Sequence, residues 1–183
     1  YSGEIIGSWE PVTILEDKIV LVLGAGPSIK KYKTEIEKYI EHNKPFVIAL
    51  NTHSDIRYNL IDARAACHPV RLLSNYKEHL KLPQPLITPF SMLPVNIKEN
   101  FKNKKIFDFG AKINGNCFKF EKNFCELPNS LVTAYTLAIA NSGKAKKIVL
   151  AGFDGYTSDD PRSKEMNEML SCYKSKEESI ELI

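Results

Sequence analysis

The chain has 183 residues, 43% hydrophobic and 26% charged, which excludes a disordered or fibrous polypeptide and suffices for one domain with a real core. Lys and Arg number 25 against 22 Asp and Glu, and the resulting net charge of +3 is too small to point to nucleic acid or to a membrane surface. No apolar run approaches the ~18 residues that cross a bilayer, and Cys67, Cys117, Cys125 and Cys172 show neither a CxxC pair nor zinc-ligand spacing, so reduced thiols, a cytoplasmic location and no metal are expected. The chain starts at Tyr1 and stops inside an apolar pattern, Ser179 to Ile183. It is therefore read as a single domain over residues 1–183, excised from the C-terminal part of a longer chain.

Taken in order, Lys18 to Leu23 is β-branched, apolar at consecutive positions and closed by glycine, the pattern of a strand covered on both faces of a parallel sheet. Ile29, Tyr32, Ile36, Tyr39 and Ile40 then recur at helical spacing, with Lys33, Glu37 and Glu41 opposite them, and Phe46 to Leu50 repeats the buried-strand pattern. These three pieces make a βαβ unit. Ala63 to Cys67 is expected as a short strand, Val70 to Leu80 as a helix and Pro85 to Thr88 as a further apolar piece. Pro83, Pro85, Pro89 and Pro94 predict an irregular connection from Lys81 to Pro94.

Lys105 to Phe109 and Cys117 to Phe120 flank a segment from Gly110 to Gly115 and are expected to pair as a hairpin or to lie at a sheet edge, with a surface loop as the alternative. Leu131 to Asn141 is apolar on almost every side, which predicts a helix held between two layers. Ile148 to Ala151 is another buried strand, Arg162 to Tyr173 a polar helix, and Ile180 to Ile183 the beginning of a last strand. The fold class is α/β, a Rossmann-like open and mostly parallel sheet with helices on both faces.

In such sheets ligands bind beyond the carboxyl ends of the strands, where the strand order reverses. Gly24, Ala25, Gly26, Pro27 and Ser28 form a turn in which glycine permits close backbone approach and the following helix start attracts an anion, with phosphate as the natural ligand and an unliganded tight corner as the alternative. A dinucleotide fingerprint fails because Ile29 stands where a third glycine or alanine belongs, and the chain holds no Walker A loop. Asn51, at the end of the second strand, suits a base edge or a ribose hydroxyl, or serves as a turn residue. His68 is a candidate acid or base, or a structural hydrogen bonder, and Arg71 a phosphate partner. Asn129 and Ser130 precede the buried helix as its cap or as a second anion or sugar site. Asp154 holds a hydroxyl or caps its own turn, and Tyr156 is a second candidate for a base.

The GAGPS turn at Gly24 to Ser28, together with the stretch from Asn129 through AIA to IVLAGFDGY ending at Tyr156, resembles the bacterial sialyltransferases and the related pterin-pyrophosphokinase-like proteins. That resemblance implies a Rossmann-like fold in which Gly24, Gly26, Ser28 and Asn51 hold the cytidine monophosphate part of a nucleotide-activated sugar. His68 stands where those enzymes carry a second asparagine and Ala25 where their turn usually carries Asn; the last histidine is His79, so their downstream catalytic histidine has no counterpart. The GAGPS turn and the ACHPVR segment also resemble the C-terminal module of two-domain proteins related to 4-hydroxy-2-oxovalerate aldolase and HMG-CoA lyase, associated with surface-polysaccharide synthesis. This second likeness implies an N-terminal TIM-barrel partner domain that carries the metal-dependent carbon–carbon chemistry.

Three readings follow: a domain binding a nucleotide, nucleotide-sugar or sugar phosphate for a larger aldolase-like lyase, a sialyltransferase-like glycosyltransferase, and a docking scaffold without catalysis. None needs a cofactor within this chain, a nucleic-acid partner or a membrane span.

Overall fold

The computed structural model describes residues 5–155 and 159–183. Six strands build the main sheet: β1 (Ile19–Leu23), β2 (Phe46–Leu50), β3 (Ala63–Ala65), β4 (Leu86–Thr88), β5 (Ile106–Asp108) and, after β6 (Gly110–Ile113), β7 (Lys119–Phe120) and β8 (Phe124–Leu127), the late strand β9 (Lys147–Ala151). Their order is β5-β4-β3-β2-β1-β9 and every pairing is parallel. This is the α/β Rossmann-like sheet that the sequence predicts. The chain winds outward from β1 through five strands, then returns to set β9 on the free side of β1, so the direction of winding reverses between β1 and β9.

The consecutive apolar residues of β1 divide as a strand's period of two requires. Val20 and Val22 join a core with Ile48, Leu50, Ala63, Ala65 and Ile148, while Leu21 and Leu23 face the opposite core with Val47 and Ala49. After the short α1 (Val12–Leu15) ahead of β1, helices cover that second face: α2 (Ser28–Lys31) and α3 (Lys33–Asn43) supply Ile29, Ile36, Tyr39 and Ile40, and α4 (Pro69–Lys81) and α5 (Val95–Asn100) supply Leu72 and Ile97 farther along the sheet. The single helix expected from Ile29 to Ile40 is broken, because Tyr32 leaves the helical region at φ −110° and ψ 27°. Pro69 opens α4 at its first turn, where a missing N–H costs nothing.

On the first face lies α6 (Val132–Ser142), with every residue from Thr133 to Asn141 buried. Its other side packs on a second sheet of order β6-β8-β7, in which β6 runs parallel to β8 and β7 antiparallel to it. A helix apolar all round is thus accounted for by two sheets, one on each side. Of the alternatives for Lys105 to Phe109 and Cys117 to Phe120, the sheet-edge one holds and the hairpin does not: β5 ends the large sheet and β7 ends the small one. β5 pairs with β4, whereas β7 pairs with β8, whose alternating burial suits a strand with one covered face.

The last helix, α7 (Pro161–Lys174), begins at Asp160, whose side chain accepts from the Arg162 amide at 2.9 Å. Its Tyr173 is buried, and the Tyr173 hydroxyl donates to the Ile180 carbonyl at 3.1 Å. This leads the terminal segment alongside β9, where Ile148 and Leu182 form a parallel bridge. The expected last strand is present as that bridge.

Candidate functional site

The strand order sets the residues that follow β3, β2, β1 and β9 side by side along one edge: His68, Asn51, Gly24 and Gly152. Three strand spacings of ~4.8 Å put about 14 Å between the two ends of this row. The switch point itself lies at Gly24 and Gly152.

At the switch point the two backbones nearly touch. The Gly24 amide donates to the Ala151 carbonyl at 2.8 Å, and the Gly26 amide to the Gly152 carbonyl at 2.9 Å. A Cβ on Gly24 would lie 2.4 Å from the Gly152 carbonyl oxygen, and one on Gly26 would lie 2.0 Å from an Asp154 carboxylate oxygen. Gly152 has φ +77°, which glycine adopts without strain, and a Cβ there would meet Ile29 at 2.3 Å. The corner is glycine-rich because β9 and its following turn lie against it. Close packing alone is enough to require glycine at these positions.

The anion at the start of α2 is likewise internal. Asp154 Oδ2 accepts from the Ser28 hydroxyl at 2.8 Å and from the Ser28 amide at 3.2 Å. The hydroxyl bond is the main cause holding the Asp154 carboxyl below its ordinary range, and the amide adds to it. Asp154 is exposed and Ser28 half-buried, and they stand 126 residues apart in the chain. Pro27 has no N–H, the Gly26 and Ser28 amides are taken as above, and the Ile29 amide bonds to the Gly26 carbonyl. Of the predicted site, Gly24, Ala25, Gly26, Ser28 and Asp154 therefore stand together, and what they present to solvent is a fixed carboxylate. Of the amides in this corner, those of Gly24, Gly26, Ser28 and Ile29 are already bonded within the protein.

Asn51 sits in the left-handed region at φ 57°, where Asn is tolerated better than most residues. Its amide donates to the Ala65 carbonyl at 2.8 Å, and its own carbonyl accepts from Arg64 Nη1 at 3.2 Å. Arg64 is the polar residue that sequence reasoning missed, although its position in an otherwise apolar Ala-Arg-Ala strand marks it. It is 1% exposed, bonds the Thr52 carbonyl at 2.9 Å and Gln84 Oε1 at 3.0 Å, and its guanidinium lies 5.6 Å from the Tyr58 ring centre. Burial lowers its pKa. Arg64 is thus the clamp that shapes the segment leaving β2. Arg64→Met is expected to cost about 1–2 kcal/mol, because stranded carbonyls are only partly offset by the removal of a buried charge. Limited proteolysis should then cut within residues 51–60 faster than in wild type, and an unchanged rate would remove the clamp from the account.

At the far end of the row, Cys67, His68, Pro69, Ala111, Ile113, Leu127 and Ser130 line a cavity of about 180 Å³. His68 and Ser130 are exposed at its mouth, and its apolar wall comes from β6 and β8 of the small sheet. The sequence reading missed that wall. Cys67 donates to the Ser130 carbonyl at 3.6 Å, and burial pushes its thiol up to about 12, so it is a packing group and no nucleophile. Asn129 Oδ1 accepts from the Leu131 amide at 3.2 Å and caps the approach to α6. Arg71 is exposed on the first turn of α4, near enough to Cys67 to act on its charge.

His68, Arg71, Asn129 and Ser130 therefore gather near this cavity, about 14 Å from the Ser28–Asp154 pair, with Asn51 between them. Tyr156 lies outside the described residues. Among the described residues, no three His, Cys, Asp or Glu side chains gather as a metal site. No family model matches the chain, and no curated protein matches it either.

Proposed function

We propose that the carboxyl edge of the six-stranded sheet binds a nucleotide, nucleotide-sugar or sugar phosphate, with sugar hydroxyls at Asp154 and phosphate toward His68, Arg71 and the start of α6. The observation that carries this reading is the exposed Asp154 carboxylate, held by Ser28 at the point where the winding of the sheet reverses. A carboxylate accepts only, and it has lone pairs beyond the two donors Ser28 supplies, so its natural partners are hydroxyl pairs on a ribose or hexose. Phosphate in contact with that carboxylate would be repelled. A cation is available at Arg71, and the first amides of α6 have no helical carbonyl to bond. The separation of about 14 Å favours a nucleotide carrying a sugar over a sugar phosphate alone. In this reading the domain serves a cytoplasmic aldolase-like polypeptide of surface-carbohydrate metabolism and leaves the carbon–carbon chemistry to a barrel domain, in keeping with the resemblance of the GAGPS and ACHPVR segments.

Calorimetry with CMP, CDP, UDP, CMP-sialic acid and simple sugar phosphates tests the proposal. Asp154→Asn should weaken the best ligand about tenfold or more, the worth of a charge-assisted hydrogen bond. Arg71→Ala should weaken nucleotides while sparing the matching nucleoside. Turnover of CMP-sialic acid would move the assignment to glycosyl transfer. Heat with none of these ligands would leave the docking scaffold, a reading favoured by the amides that the glycine corner bonds internally.

A further inference from the structure

Two cysteines that the site does not use stand in near contact. Cys117 lies in the turn between β6 and β7, and Cys172 in the last turns of α7. Their Sγ atoms are 2.7 Å apart, well inside the ordinary contact of two sulfurs and short of the ~2.05 Å of a formed bond. Both are half-buried, and the surrounding backbone holds them in register: the Cys117 thiol reaches the Cys172 carbonyl at 3.6 Å and the Cys172 thiol reaches the Asn116 carbonyl at 3.7 Å. The other two thiols differ sharply, since Cys67 and Cys125 are buried at 4% and 0% exposure.

We propose that Cys117 and Cys172 are a site of reversible oxidative modification, closing to an intramolecular disulfide by exchange with a low-molecular-weight disulfide such as oxidised glutathione. The thiolate of one cysteine attacks a sulfur of oxidised glutathione, whose S–S bond breaks and releases one glutathione, which takes up a proton. The second cysteine, losing its own proton, then attacks the resulting mixed disulfide at the protein sulfur and expels the other glutathione. Two protein thiols are oxidised to one disulfide and one glutathione disulfide is reduced to two thiols. The bond ties the turn of the small sheet to α7. Burial raises the Cys172 thiol above its ordinary range, which suits a latent cross-link better than a catalytic dithiol that turns over. Reduced thiols remain the state expected in a reducing compartment, and the pair responds when that poise shifts.

The test is to incubate the folded protein with oxidised glutathione, block free thiols, and map tryptic peptides without reduction. The expected product is Ile113–Lys119 joined to Glu165–Lys174, lighter than their sum by two hydrogens and formed within one chain with no link between chains, with Cys67 and Cys125 blocked only after denaturation. The linked form should melt roughly 10 °C above the reduced form, as a closed loop of this size implies. Cys172→Ser should instead leave Cys117 carrying one glutathione and show no such shift. Separate blocked or singly glutathionylated peptides from the wild type would overturn the assignment, as would a linked form that melts no higher than the reduced one.

Discussion

Gly24→Ala is expected to lower the unfolding free energy by about 3 kcal/mol, the upper end of what over-packing costs. The added methyl would sit 2.4 Å from the Gly152 carbonyl oxygen, a backbone atom on a neighbouring strand end that cannot swing aside as a side chain can. Relief requires β1 and β9 to part at their carboxyl ends, which breaks the bonds from the Gly24 and Gly26 amides together. Gly115→Ala is the reference: nothing lies within 4 Å of its Cβ, so it should lose only about 1 kcal/mol through its positive φ of 74°. Urea unfolding of the ligand-free protein measures both. If Gly24→Ala unfolds no more readily than Gly115→Ala, close packing is not the reason for the glycine, and a ligand's approach returns as the explanation.

The second large effect is acid sensitivity from His79. This side chain is 2% exposed, its Nδ1 has no hydrogen-bond partner among the described residues, and burial depresses its pKa to about 4, with Lys104 and Arg64 adding repulsion. In the unfolded chain the same ring titrates near 6.5. As pH falls through this window the unfolded chain takes up the proton first. Stability present above pH 6.5 is therefore lost progressively toward pH 4, by about 3 kcal/mol in full. Asp62, whose carboxyl is raised by burial, works in the opposite direction at the acid end of the range. Urea unfolding at pH 7.5 and 4.5 should show a drop of about 2–3 kcal/mol that is largely abolished in His79→Phe. Equal slopes in the two proteins would clear His79.

The parts legible in the sequence are those where local pattern and final environment coincide. Phe46 to Leu50 reads as a buried strand and is one, because both of its faces are covered and nothing interrupts the run. The helix from Val132 lacks a polar side for the same reason, and its unusual composition already implies a layer above and a layer below. The small sheet was harder. β6 is a four-residue piece with a glycine and a lysine, and β8 alternates only over Phe124 to Leu127, so neither carries enough apolar signal to declare a partner.

The site divides in the same way. Residues after the strands of the large sheet follow from the fold class, so Gly24, Asn51, His68 and Asp154 were reachable. Their mutual relations were not: Ser28 and Asp154 are 126 residues apart, and only the return of β9 to β1 makes them neighbours. His79 looks like a surface residue in a linear reading, and Arg64 is marked only by its place in an apolar strand, with no sign of its partners. Their burial depends on Gln84, Tyr58 and Lys104, which arrive from other segments.

The pairing of β1 with β9 also has a bearing on how the protein is made. Val20 pairs with Ile148, 128 residues farther along the chain. At ~5–20 residues per second, the ribosome delivers the partner roughly 6–25 s after the opening strand. Throughout that interval one flank of β1 is an unpaired template for foreign strands. The Ser28–Asp154 contact cannot form until residue 154 has left the exit tunnel, so a nascent chain stalled before β9 carries the recognition corner without its acid and offers an open edge to aggregation.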